Sequence, residues 1–114
     1  MSQNIVSIKL IEATRGVHKE IFITEKKCEI TDNSQTKKKL MNAQAWQRVN
    51  AICEKVALEN LSKYESSSRK RANDAALQAT LEIATKTKTY QSNIFDHDNP
   101  PKEFLELIKE LKKL

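Results

Sequence analysis

Asp96-His97-Asp98 is the densest run of metal-ligating side chains in the sequence. Neighbouring residues on an extended chain point to opposite sides, and a usable site needs three or four converging ligands. The only other histidine is His18. The run therefore reads as a turn, in which Asp96 or Asp98 accepts backbone N–H bonds and Asn99 caps the helix that follows. No metal and no cofactor is expected. Cys28 and Cys53 are the only cysteines. Cys53 falls on the apolar stripe of a helix, which suits an inert packing thiol. Cys28 and His18 pair only if neighbouring strands bring them level. With no export signal in view, two reduced, partly buried thiols are expected rather than a disulfide. Ser66 to Ser68 have no histidine placed to activate them. No nucleophile, base and orienting group stand together, so no enzymatic activity is expected.

Anion binding is the other chemistry the sequence can offer. The single glycine, Gly16, rules out Gly-rich phosphate loops. Net charge is +5, unevenly spread. Residues 34–71 hold nine basic and three acidic groups, whereas 1–33 balance and 72–114 carry one net negative charge. Lys37-Lys38-Lys39 and Arg69-Lys70-Arg71 flank a helix and are the candidate phosphate-binding residues. No aromatics interleave with these charges, so base stacking has no support.

The elements that must position these residues follow from periodicity. Residues 5–12 alternate as a strand, with Val6, Ile8 and Leu10 on one face and Ile5, Ser7, Lys9 and Ile11 on the other. Residues 13–16 turn the chain, with Gly16 where positive φ is needed. Residues 17–24 form a second strand and 27–31 a short third one, with Cys28 and Ile30 on one side. Residues 32–42 are polar and read as a loop. Asn42 caps a helix from Ala43 to near Leu58, with Trp46, Val49, Ile52, Cys53 and Val56 inward. Residues 61–73 read as a mobile basic loop. Leu77, Ala79, Leu81 and Ile83 alternate as the clearest strand, and 85–88 turn it into a strand over 89–95, with Tyr90, Ser92 and Ile94 in phase. Pro100-Pro101 then stops the strand and starts a helix carrying Phe104, Leu107, Ile108 and Leu111 inward.

The order β-β-β-α-β-β-α in 114 residues implies one α+β domain: an antiparallel sheet of about five strands with two helices packed on one face. The polar N-terminal residues and the lack of a long apolar run imply a cytoplasmic protein with no membrane partner.

The segments Asp74-Ala75-Ala76, Ala79-Thr80-Leu81-Glu82-Ile83, Tyr90-Gln91-Ser92 and Phe95-Asp96-His97-Asp98-Asn99-Pro100-Pro101 resemble a set of small, uncharacterised bacterial proteins, mostly from the Bacteroidetes. Arg15-Gly16 and Trp46 fit the same pattern; Ala75, where glycine is expected, departs from it. That family carries no activity to transfer. A weaker similarity is to the emfourin-type inhibitors of thermolysin-like metallopeptidases. It lies in the order of elements, the aspartate before the late hairpin and the closing Pro then Leu-x-x-Leu/Ile helix. The Gly-rich early turn of those inhibitors is replaced here by Ala13-Thr14-Arg15-Gly16, so their inhibitory contact is not carried over.

Elimination and this similarity together imply a small non-catalytic protein-interaction module, inhibitor-like, monomeric or weakly dimeric. Its partner-binding candidates are Lys9, Gln78, Thr80 and Glu82 on the sheet face away from the helices. Arg15 and Gly16 at the early turn join them. The alternative is a nucleic-acid-binding protein using Lys37, Lys38, Lys39, Arg69, Lys70 and Arg71.

Overall fold

Residues 5–14, 16–64, 78–96 and 100–114 are described by a computed structural model of the chain. β1 (Ile5–Thr14) and β2 (Val17–Thr24) form a hairpin, Thr14 opposite Val17, around a turn in which Gly16 has φ +78°. That left-handed backbone favours glycine because it has no Cβ. β3 (Lys27–Asp32) pairs with β2, and β4 (Gln35–Leu40) pairs with β3. β5 (Gln78–Thr85) pairs with the far side of β1, then with β6 (Thr89–Gln91) and the two-residue β7 (Phe95–Asp96). The sheet order is β4-β3-β2-β1-β5-β6, all antiparallel.

Strand alternation sends Ile8, Leu10, Ile23, Cys28, Ala79, Leu81 and Ile83 to one side, where all are buried. α1 (Ala43–Cys53) and α2 (Leu105–Leu111) cover that side with Val49, Ile52, Leu107 and Leu111. Asn42 caps α1, its Oδ1 accepting from Gln44 N–H at 2.8 Å and Ala45 N–H at 3.1 Å. The α+β class and the one-sided helical cover thus match the expectation from sequence.

Several elements differ from it. Residues 32–42 are not a loop. They turn at Asn33 (φ 56°) and return as β4, whose six residues are all exposed. An edge strand with both faces wet needs no apolar alternation, so periodicity is blind to it. α1 ends at Cys53, and a 3-10 helix follows over Leu58–Lys63. Its three-residue turn stacks Leu58 and Leu61 on one side, and both are buried. The segment assigned to a basic loop therefore begins inside the core at Leu61. Residues 65–73 of that loop, with Arg69, Lys70 and Arg71, lie outside the described residues, as do Arg15, His97, Asp98 and the proposed cap Asn99. α2 is preceded by a 3-10 turn over Lys102–Phe104.

The late strand breaks where continuous alternation was expected. Ser92 N–H donates to the Leu81 carbonyl at 2.8 Å, but Leu81 N–H is accepted by the Ser92 hydroxyl, at 2.9 Å, not by its carbonyl. The same hydroxyl donates to the Asn93 carbonyl at 2.9 Å. The pairing then slips by one residue: Ile83 faces Tyr90, whereas Ala79 faces Phe95. A one-residue slip exchanges the faces. Ile94 is 50% exposed and Phe95 is buried, the reverse of the assigned phase.

Ser92→Ala removes the acceptor for a buried N–H without changing the strand's shape. We expect a loss of about 1–3 kcal/mol, read from the urea midpoint. An unchanged midpoint shows that the hydroxyl is not what terminates β6.

Candidate functional site

Side chains on the sheet face away from the helices come from the residues that alternate with the core. Register brings Lys38, Glu29, Phe22, Lys9, Glu82 and Gln91 into one row across β4, β3, β2, β1, β5 and β6. Beside it runs a second row of Thr36, Thr31, Glu20, Ile11 and Thr80. Among the described residues, no helix covers either row.

Both glutamates of the first row have a lysine beside them, one from the row itself and one from its neighbour on β3. Lys9 Nζ lies 3.7 Å from Glu82 and Lys27 Nζ lies 3.0 Å from Glu29. The same two ammonium groups stand over the Phe22 ring, 5.6 and 5.7 Å from its centroid. Such cation–π contacts hold the ring between two lysine stems and fix where it stands. Thr31 and Thr36 join their hydroxyls at 3.0 Å in the second row. The result is a surface with a partly exposed aromatic at its centre and charges that largely cancel around it.

Of the partner-binding candidates, Lys9, Gln78, Thr80 and Glu82 are brought together on this face, on adjacent strands β1 and β5. Gly16 is exposed in the β1–β2 turn, at one end of the sheet. Phe22, Lys27 and Glu29 were not singled out from sequence. The signal was present: Phe22 is out of phase with Ile21 and Ile23, which assigns it to the other face.

The described candidate phosphate ligands, Lys37, Lys38 and Lys39, do not share one face. Lys38 is on the open face, opposite Glu29. Lys37 and Lys39, opposite Ile30 and Cys28, are on the helix side, where Lys39 Nζ donates to the Leu114 carbonyl at 3.1 Å. Successive residues of a strand cannot point the same way.

Cys28 and His18 lie on opposite faces of the sheet. His18 is level with Ala13, its N–H donating to Asn33 Oδ1 at 2.9 Å, while Cys28 is level with Ile23 and buried. Both cysteines are free and buried. Burial pushes the Cys53 thiol up from 9.0 to about 12. Cys28 is also raised, by burial first, against the nearby Lys39 charge, which lowers it. Both shifts favour the neutral thiol, the unreactive form. Among the described residues, no three His, Cys, Asp or Glu side chains are grouped to hold a metal, and no helix is long and apolar enough to cross a membrane. On the helix side, a groove of about 340 Å³ lies between the end of α2 and β2–β3, floored by Ile21, Ile30 and Leu111. Glu12 and Lys112, 2.9 Å apart, close one side of it.

No protein-family model, curated protein or solved structure matches this chain.

The raised Cys53 thiol has a consequence for stability. In the unfolded chain it ionises near 9.0, and in the folded protein near 12. The unfolded state therefore loses this proton first, and the stability tied to it is full below pH 9.0 and falls as pH rises towards 12. Urea midpoints should fall more steeply above pH 9.0 for the wild type than for Cys53→Ala. Parallel curves contradict a buried neutral thiol.

Proposed function

We propose that this chain is a small non-catalytic protein-interaction module, monomeric or weakly dimeric, that docks a protein partner on the open face of its sheet. The pairing of charges around Phe22 carries this reading. Phosphate binding draws on cations free to displace counterions. On this face Lys9 and Lys27 are already matched by Glu82 and Glu29. A central aromatic with a polar, charge-balanced surround is the anatomy of a protein interface, where a few anchors supply most of the affinity. The strands beneath are held in register, so they place those contacts accurately. The order of elements shared with emfourin-type inhibitors makes a thermolysin-like metallopeptidase one partner to assay, although their inhibitory turn is replaced here.

Nucleic acid is the competing reading, favoured by the basic excess of residues 34–71. The test is capture by the tagged full chain from nuclease-treated bacterial lysate, with purified thermolysin-like peptidase in parallel. Wild type, Phe22→Ala and a variant with Arg69, Lys70 and Arg71 changed to glutamine are compared after circular dichroism shows each is folded. We expect a nuclease-resistant protein partner whose affinity falls about tenfold or more in Phe22→Ala and is unchanged in the glutamine variant. Capture that vanishes with nuclease and with the glutamine variant establishes the nucleic-acid reading. Capture indifferent to Phe22 removes the open face from the account.

A further inference from the structure

Among the described residues β4 ends the sheet, and all six of its own residues are exposed. Met41 N–H donates to the Lys26 carbonyl at 3.1 Å, which sets the phase of the β3–β4 ladder. Hydrogen-bonded and non-hydrogen-bonded pairs alternate in an antiparallel ladder. Lys37 and Lys39 therefore bond to β3, and the N–H and C=O groups of Thr36, Lys38 and Leu40 point away from the sheet. This is a template for one more strand.

We propose that the outer edge of β4 takes an extended acidic segment of a partner protein as an added antiparallel strand. This edge site rests on the interaction-module reading and adds to it a second surface and the chemistry of what binds there.

Like charge excludes a second copy of β4, because two such edges would set lysine against lysine. The same three charges favour an anion, and their alternation decides which kind. Lys38 stands on the open face while Lys37 and Lys39 stand on the helix side. A nucleic-acid backbone lying on either face meets only the lysines of that face. An added strand alternates its own side chains in step with β4, so three consecutive acidic residues reach all three lysines at once.

Leu40 extends the pattern. It is 88% exposed and lies on the open face with Lys38, two residues away. A strand whose lysines served only to repel neighbours gains nothing from a bare leucine at its end. Opposite Leu40 an apolar residue is required, and opposite Thr36 a β-branched one is favoured. Read in its own direction, the ligand is apolar, acidic, acidic, acidic, β-branched. The row of Lys38, Glu29 and Phe22 runs from this edge onto the open face, so one partner can engage both.

The probe is a fluorescent peptide with a Val-Glu-Asp-Glu-Thr centre, titrated with the full chain by anisotropy at physiological salt. Three controls accompany it: the same composition with the acidic residues separated, the same peptide N-methylated at the central residue, and an oligothymidylate of equal charge. We expect saturable binding that falls about tenfold or more on N-methylation and in Lys38→Glu. A Val-Lys-Lys-Lys-Thr peptide should bind the folded triple variant Lys37→Glu, Lys38→Glu, Lys39→Glu and not the wild type. Absence of saturable binding overturns the proposal. So does equal binding of the methylated or separated peptide or of the oligothymidylate, since either leaves only general attraction of polyanions. Phe22→Ala is carried through the same titration and should bind the acidic peptide as wild type does. If the peptide fails while a Phe22-dependent partner is still captured, the edge site falls and the open-face reading stands. If the peptide binds and no such partner is captured, the reverse holds.

Discussion

Burial of Phe104 is the contact on which the rest of the fold depends. Its ring meets Tyr64 edge-on at 5.5 Å and Phe95 at 5.7 Å, so one side chain ties together the segment after the first 3-10 helix, the last strand and the start of α2. α2 has only seven residues, too few to hold a helix in water alone. Its stability comes from Leu107, Ile108 and Leu111, all buried. At its far end Lys112 reaches Glu12 of β1, whose side chain is only 11% exposed. The closing helix is thereby tied at its start to Tyr64 and β7 and at its end to β1.

That arrangement has a cost in coverage. Among the described residues, the buried apolar side chains of the strands gather on one face of the sheet, under α1 and α2. α1 and α2 lie on the same side, so the opposite face is left mainly to polar and charged residues, with Ile11, Phe22 and Leu40 among them. The edge at β4 is left as well. The open face and the open edge are thus consequences of where the core sits, and the chain manages each differently. On the face, Lys9 and Lys27 stand against Glu82 and Glu29. At the edge, like charges are strung along the strand, which disfavours pairing with a second copy of the same edge.

Much of this was legible in the sequence. The α+β class, the β1–β2 turn at Gly16, the Asn42 cap and the inward stripe of α2 each rest on a local rule with one strong solution. The parts that were not legible share a physical cause. β4 has no apolar periodicity because it buries nothing. The 3-10 helix over Leu58–Lys63 is selected by tertiary burial of Leu58 and Leu61, which a local pattern cannot weigh. The slip at Ser92 depends on a hydroxyl competing with a backbone carbonyl, and once it occurs every later side chain changes face. For the candidate surface, Lys9, Gln78, Thr80 and Glu82 followed from alternation alone. Phe22 and Leu40 acquire meaning only when register shows which lysines and glutamates stand beside them.

The state of β4 is the most direct test of the view that the sheet leaves a structured, open surface. Native-state amide hydrogen exchange on the isolated protein reads it residue by residue. Thr36, Lys38 and Leu40 should exchange quickly, while Lys37, Lys39 and Met41 should be protected by β3 and Lys26. Uniform protection of all six amides would mean that the edge is already covered, and uniform fast exchange would mean that β4 is a loop; either result contradicts the account.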